Sequence, residues 1–229
     1  MDASDSLSED LFPDLVIGRC DRRAEEAYGR RWRGLVAGVD EAGRGPLAGP
    51  VVTAAVVLTD ADLPDGLTDS KELDAATRER LFAIICRDHH VSVASASAAR
   101  IDLMNIRAAT LWAMTRALVH LPVRPVGVLV DGRDVPAEVR ARGFQGAAIV
   151  KGDGCVAAIA AASIVAKVTR DRMMAAYANR FDAYGFERHM GYGTPEHKRL
   201  LKAHGPCPLH RRSFAPVREL LGEPAEAAE

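Results

Sequence analysis

Apolar positions in this chain follow two rhythms. Short runs rich in β-branched residues, from Leu35 to about Asp40 and from Pro50 to Leu58, predict two strands joined as a hairpin through Gly43, Gly45 and Gly49. The alternating stretch VSVASAS, the apolar run from Pro125 to Val130, and AAIVKGD, which ends at Asp153, predict three more. Elsewhere the spacing is helical. Leu81, Ile84 and Ile85 predict a helix over 74–87 with Asp74 as its N-cap. Asp102 stands where it can cap a helix whose Leu103, Ile106, Thr110, Ala113 and Ala117 form one buried stripe ahead of Pro122. The alanine-rich stretch from Cys155 to Phe181 predicts a long helix that its neighbours can approach closely, and Pro195 opens another before a short helix near the end.

Four acids stand at the ends of these strands. Asp40 and Glu41 close the first run, Asp131 follows VGVLV, and Asp153 follows the last. A carboxylate directly after a fully apolar strand is poorly placed for ordinary surface duty, and ligand sites in helix-covered sheets lie beyond strand ends. Neighbouring carboxylates converge only where a strand stops and the backbone bends, so a strand ending near residue 40 brings Asp40 and Glu41 together. Gly43 and Gly45 let the main chain approach a ligand, Arg44 offers a planar donor fork, and Lys71, in the Asp69-Ser70-Lys71 triplet that closes the loop before the first predicted helix, can reach a phosphate. Taken alone, an Asp-Glu pair also fits a solvated loop. A dinucleotide-binding glycine loop is a poorer reading, because such a loop must open a helix and here a β-branched run follows Pro50.

At 229 residues and 48% hydrophobic positions the chain is expected to form one main domain with a small appendage. No apolar run approaches membrane length, and the N-terminus is acidic where a secretory signal is basic and then apolar, so a cytoplasmic location is expected. Cys20, Cys86, Cys155 and Cys207 form no paired metal-ligand spacing, which argues against zinc and leaves buried structural thiols as the expectation. The net charge of -1 conceals an uneven distribution: between Lys167 and Arg212 ten basic residues face four acidic ones, with four histidines among them. That stretch has the electrostatic footprint of a nucleic-acid binder. Residues 1–33 have no readable role, and the last seven, 223–229, are expected to be disordered.

From about Leu35 to Gly222 the chain resembles the bacterial type 2 ribonucleases H, the ribonuclease HII family. The resemblance runs in family order through GVDEAGRGPLAGPVV, Asp69-Ser70-Lys71, NIRAAT, LVDG, KGD, IAAASIVAKVTRDR, GYGT and HRRSF. It implies an α/β, ribonuclease H-like fold: a mixed five-stranded sheet flanked by helices over 34–182, then a small helical substrate-binding part over 183–222. By matching motif it places the metal-binding, catalytic carboxylates on Asp40, Glu41, Asp131 and Asp153. It has Gly43, Arg44 and Gly45 read a ribose 2'-hydroxyl, Ser70 and Lys71 contact substrate, and Tyr192 stack on a sugar. Asp171 is read as structural, paired with a neighbouring arginine. All-oxygen ligands favour two Mg²⁺ or Mn²⁺ ions.

The activity implied is hydrolysis of the RNA strand of RNA-DNA hybrids and incision 5' to single ribonucleotides in duplex DNA, leaving 3'-hydroxyl and 5'-phosphate ends, by a monomer that acts in ribonucleotide removal. A catalytically idle hybrid-binding module and a DNA resolvase of the same fold are the alternatives. One departure is visible: relatives usually carry Lys where Met190 stands between His189 and Gly191, so a phosphate contact is expected to be missing. Replacing Gly43 is expected to cost activity with little loss of fold.

Overall fold

The computed structural model describes residues 20–222; the expectations for the acidic opening residues and for the tail at 223–229 lie outside the described residues. All five predicted strands are present: β1 (Val36–Ala42), β2 (Val51–Val57), β3 (His90–Ala96), β4 (Gly127–Asp131) and β5 (Gln145–Ile149). They form one mixed sheet in the order β3-β2-β1-β4-β5. β2 is antiparallel to β1 and β3, while β4 runs parallel to β1 and β5. The helices are α1 (Arg23–Trp32), α2 (Ala75–Asp88), α3 (Ala98–Met104), α4 (Ile106–Val119), α5 (Ala137–Ala141), α6 (Ala157–Ala178), α7 (Phe186–His189), α8 (Pro195–His204) and α9 (Ala215–Leu220).

Strand alternation sorts the core into two layers. Ala37, Val39, Val128 and Val130 pack against Met114, Ala117 and Leu118 of α4. Val36, Leu129, Ala54 and Val56 point the other way, to α6, with Leu81 and Ile85 of α2 beyond. The alanines of α6 let it lie very close: a Cβ on Gly38 would stand 2.2 Å from the carbonyl carbon of Ala158. Helix backbone therefore rests on strand backbone beside the position from which Asp40 projects.

Three local expectations need correction. Asp102 caps no helix. Ser97 caps α3, accepting from the Arg100 amide, and Asn105, at φ 63°, caps α4 through the Ala108 amide, so the single predicted helix is two. Leu103 consequently turns outward and is 82% exposed. The Asp102 carboxylate instead accepts from the Arg212 amide at 3.0 Å and from the Ser213 amide and hydroxyl at 2.9 and 2.7 Å, tying α3 to the C-terminal part. Asp171 pairs with Lys167 at 2.8 Å, not with an arginine. Of the cysteines, Cys155 alone is buried, and Cys86 is exposed.

Residues 23–32, for which the sequence offered no role, are packed onto the sheet. Ala24 and Tyr28 bury themselves against Val36, Leu129 and Val156. Glu25 accepts from the Ala158 amide at the start of α6, while its second oxygen is buried without a partner. Burial, partly offset by that hydrogen bond, pushes the Glu25 carboxyl up to about 7. Because the folded pKa lies above the unfolded one, the folded state holds the extra proton between about pH 4.5 and 7, and stability falls as pH rises through that window. Glu25→Gln is expected to remove that part of the fall, on the order of 2–3 kcal/mol. Chemical denaturation of both proteins at pH 5 and pH 8 checks this; parallel losses would refute it.

Candidate active site

β1 and β4 are parallel neighbours with Val39 opposite Val130, so the next position on each strand places Asp40 beside Asp131 on the α6 side of the sheet. Asp153 arrives from a short 3-10 turn, Gly152–Gly154, that links β5 to α6. One carboxylate oxygen from each of these three acids lies within 4.8 Å of the others. Asp131 is held by the Gly152 amide at 2.8 Å and the Asp153 amide at 3.4 Å, both donating to one oxygen and leaving the other available. Asp40 accepts from the Glu41 amide at 2.7 Å, and the nearby Ser163 hydroxyl favours its charged form.

Three buried or half-buried carboxylates in contact repel each other. Burial first, then Glu41 and Asp131, raise Asp40 well above the ordinary carboxylate range. Burial and then Asp153 push Asp131 up to about 6. Such a cluster of hard oxygen donors, unstable as a set of bare anions, fits a divalent cation. Lys71 supplies one positive charge: its ammonium is 2.9 Å from Asp153 and 3.5 Å from Asp69, and although partial burial works against it, Asp153 raises its pKa.

Glu41 is not in this triad. β1 continues through Ala42 and does not stop near residue 40, so Asp40 and Glu41 alternate and Glu41 faces α4. There it pairs with Arg44 at 3.2 Å and borders a shallow groove with Arg107, Asp131, Arg133 and Asp134. Ser70 is also displaced from its expected role. Its side chain is buried and its hydroxyl lies 2.9 Å from that of Ser163, which supports Asp40 from behind.

The turn after β1 presents Arg44 and Gly45 to solvent while Gly43 is buried at φ 93°. The GYGT segment is stitched to it: the Leu47 and Ala48 amides donate to the Gly191 carbonyl at 2.8 and 3.3 Å. Tyr192, 45% exposed, stands beside it with the Arg170 guanidinium 5.8 Å from its ring centre. Met190 is half-buried in the cluster of Met174 and Phe186.

The basic stretch is less of a surface than its composition implies. Arg170 and Arg211 are fully buried and His189, His197 and His210 are buried, whereas Lys198, Arg199, Lys202 and Arg212 remain outside. His197 and His210 face each other through their Nε2 atoms at 3.1 Å, and burial holds His210 down at about 4. Both rings are therefore structural and neutral near pH 7. Charge counting finds Arg170 and Arg211 but cannot tell that they point inward.

A model of the family described as Ribonuclease HII matches residues 37–217. The chain belongs to the ribonuclease HII family. The ribonuclease HII of Xanthobacter autotrophicus is 59% identical over 204 residues, covering 86% of this chain and 79% of the relative. Among solved structures, the ribonuclease H2 of Pyrococcus horikoshii OT3 superposes with a TM-score of 0.70 at 30% identity, covering 81% of this chain and 96% of that one. The ribonuclease HII in a complex with PCNA from Archaeoglobus fulgidus gives 0.67 at 29% identity, with 77% and 93% covered.

The protein is thus a ribonuclease H, a hydrolase with a ribonuclease H-like fold, and its acidic triad can hold a divalent cation. The ribonuclease HII family match begins at residue 37, so α1 precedes it, although α1 packs on the same sheet. No helix among the described residues is long and apolar enough to cross a membrane.

Proposed function

We propose that the enzyme hydrolyses the RNA strand of RNA-DNA hybrids and incises 5' to single ribonucleotides embedded in duplex DNA, leaving 3'-hydroxyl and 5'-phosphate ends, as a cytoplasmic monomer serving ribonucleotide removal from DNA. The observation that carries this reading is the convergence of Asp40, Asp131 and Asp153 beside a turn whose exposed Arg44 and Gly45 can meet a nucleotide. These three acids, with Glu41 bordering Asp131 from the α4 side, would hold two Mg²⁺ or Mn²⁺ ions, which would supply the charge that lets the carboxylates coexist and the Lewis acidity that activates water and phosphate.

The remaining work belongs to the chain. The Glu41 and Gly152 amides orient Asp40 and Asp131, each through a hydrogen bond to one carboxylate, and the Ser163 hydroxyl lies behind Asp40. Lys71 keeps Asp153 in place and offers positive charge to an incoming phosphate. Arg44, paired with Glu41 in the free protein, is free to exchange that partner for a phosphate oxygen, because an exposed ion pair of this kind is weak. Tyr192 offers an exposed ring for a sugar to pack on. Selectivity for RNA rests on the 2'-hydroxyl, the group that DNA lacks, read by backbone amides of the Gly43 to Gly45 turn.

The test is nicking of a DNA duplex carrying one ribonucleotide, beside an all-DNA duplex, with Mn²⁺, Mg²⁺ or EDTA. A cation-dependent cut on the 5' side of the ribonucleotide, absent from the all-DNA duplex, is expected. Equal cutting of both duplexes would point to a resolvase-like nuclease, and binding without cutting to an idle module; either outcome overturns the proposal.

A further inference from the structure

Arg170 and Arg211 are among the largest fully buried side chains, and neither has a carboxylate at ion-pair distance among the described residues. Two buried guanidiniums with no carboxylate partner, of which Arg211 is depressed first by burial and then by the nearby Arg170, are costly to a fold and call for a reason. Their hydrogen bonds show where the charge is used. Arg211 donates from Nη2 to the Gly43 carbonyl at 2.5 Å, from Nη1 to the Arg44 carbonyl at 2.7 Å and from Nε to the Gly49 carbonyl at 3.0 Å. Arg170 donates to the carbonyls of Pro50, Ala48 and Met190 at 3.0, 3.2 and 3.0 Å. Five carbonyls of one turn, residues 43–50, are thereby drawn inward onto two cations.

In a planar trans peptide the carbonyl of one residue and the amide of the next point in opposite directions. Turning the Gly43 and Arg44 carbonyls onto Arg211 therefore turns the Arg44 and Gly45 amides away from it, to the exposed side of the turn. Neither amide donates to another described residue. Nothing lies within 4 Å of a Cβ built on Gly45, so that side is open to a ligand. Without the fork the two peptide planes would have no fixed orientation, since a turn with glycines at both ends rotates easily.

We propose that Arg211 is the positioning residue behind ribose selectivity: by holding the Gly43 and Arg44 carbonyls inward it aims the Arg44 and Gly45 amides at the 2'-hydroxyl. The inference deepens the functional reading above and rests on it. It explains the separation of the chemistry along the chain, because the HRRSF segment reaches back some 168 positions to fix the turn after β1. A lysine cannot substitute, having a single point of charge where three carbonyls over two peptides and Gly49 need a planar fork.

The experiment compares wild type with Arg211→Lys on two duplexes that differ at one sugar, a ribonucleotide and its 2'-fluoro analogue, reading kcat/KM on each. The ribonucleotide rate is expected to fall roughly 10- to 100-fold, the size of one or two lost polar contacts, while the 2'-fluoro rate falls far less. Mn²⁺ affinity of the carboxylates, read by calorimetry, is expected to be unchanged. Proportional losses on both duplexes would reduce Arg211 to a structural role and overturn the proposal, as would no loss at all.

If Arg211→Lys does not fold, the wild type answers alone. Its Arg44 and Gly45 amide resonances are expected to shift on binding the ribonucleotide duplex in Ca²⁺ but not on binding the all-DNA duplex; equal shifts would overturn the proposal. A wild type that shows no preference for the ribonucleotide would instead sink the functional reading itself, an outcome visible before any variant is compared.

Discussion

Asp131→Asn is expected to lower cleavage by on the order of 10³-fold while making the metal-free protein more stable. The two effects have one cause. Burial and then Asp153 push the Asp131 carboxyl up to about 6, so in the folded protein it holds a proton that the unfolded chain releases near pH 4. Between those values the folded state binds more protons, and metal-free stability falls as pH rises through the window and stays low above it. An asparagine removes the repulsion but keeps the Oδ1 that accepts from the Gly152 and Asp153 amides, so the loop should hold its shape. Because the side chain is partly exposed, a gain of about 1–2 kcal/mol at pH 7.5 is a fair magnitude after solvent screening.

The wild type recovers the difference only when a cation binds, and an ion at 100 times its Kd contributes about 2.7 kcal/mol. Thermal unfolding of both proteins at pH 5 and 7.5, in EDTA and in Mn²⁺, separates the terms. The variant should melt higher in EDTA at pH 7.5, the gap should shrink at pH 5, and Mn²⁺ should help the wild type more. A variant less stable than wild type in EDTA at both pH values would remove the claim that function, not folding, keeps this carboxylate.

The strands and the convergence of Asp40, Asp131 and Asp153 were legible because each rests on a local signal, an apolar run that ends in an acid. What sequence reasoning missed depends on direction. Alternation through residue 42 sends Glu41 to the opposite face from Asp40, a difference of two residues in where β1 ends. Asn105, in a backbone conformation unusual for anything but glycine, divides one helical stripe into two helices and frees Asp102 for the C-terminal part. Ser70 and Arg211 carry polar labels that read as substrate contacts or surface charge, yet both face inward and act on other residues. Burial of a polar side chain is decided by partners far along the chain, and no local pattern reports them.

Gly43 and Gly45 flank the same arginine, and alanine is expected to cost activity at both but stability only at Gly43. At Gly43, φ is 93° and a Cβ would stand 1.9 Å from Nε of Arg170 and 2.3 Å from its Cδ. Relief requires moving a buried guanidinium that holds three carbonyls, in addition to the backbone strain, so Gly43→Ala should lose about 3 kcal/mol or more of stability along with activity. The expectation from sequence, that a change at Gly43 spares the fold, is corrected here, and it passes to Gly45. That residue is exposed, has no atom within 4 Å of a built Cβ, and its φ is not in the left-handed region. Gly45→Ala should stay within about 0.5 kcal/mol of wild type, or gain slightly from a stiffer unfolded chain. Its methyl group, however, would project onto the side to which the Arg44 and Gly45 amides point, where a sugar must come within hydrogen-bond distance. Cleavage of the ribonucleotide duplex should therefore drop by roughly 10- to 100-fold, chiefly through lost contact to the 2'-hydroxyl. Urea denaturation beside single-turnover cleavage decides it: an active Gly45→Ala enzyme would place the ribose elsewhere, and a stable Gly43→Ala protein would mean that Arg170 is not held as tightly as its three carbonyl bonds imply.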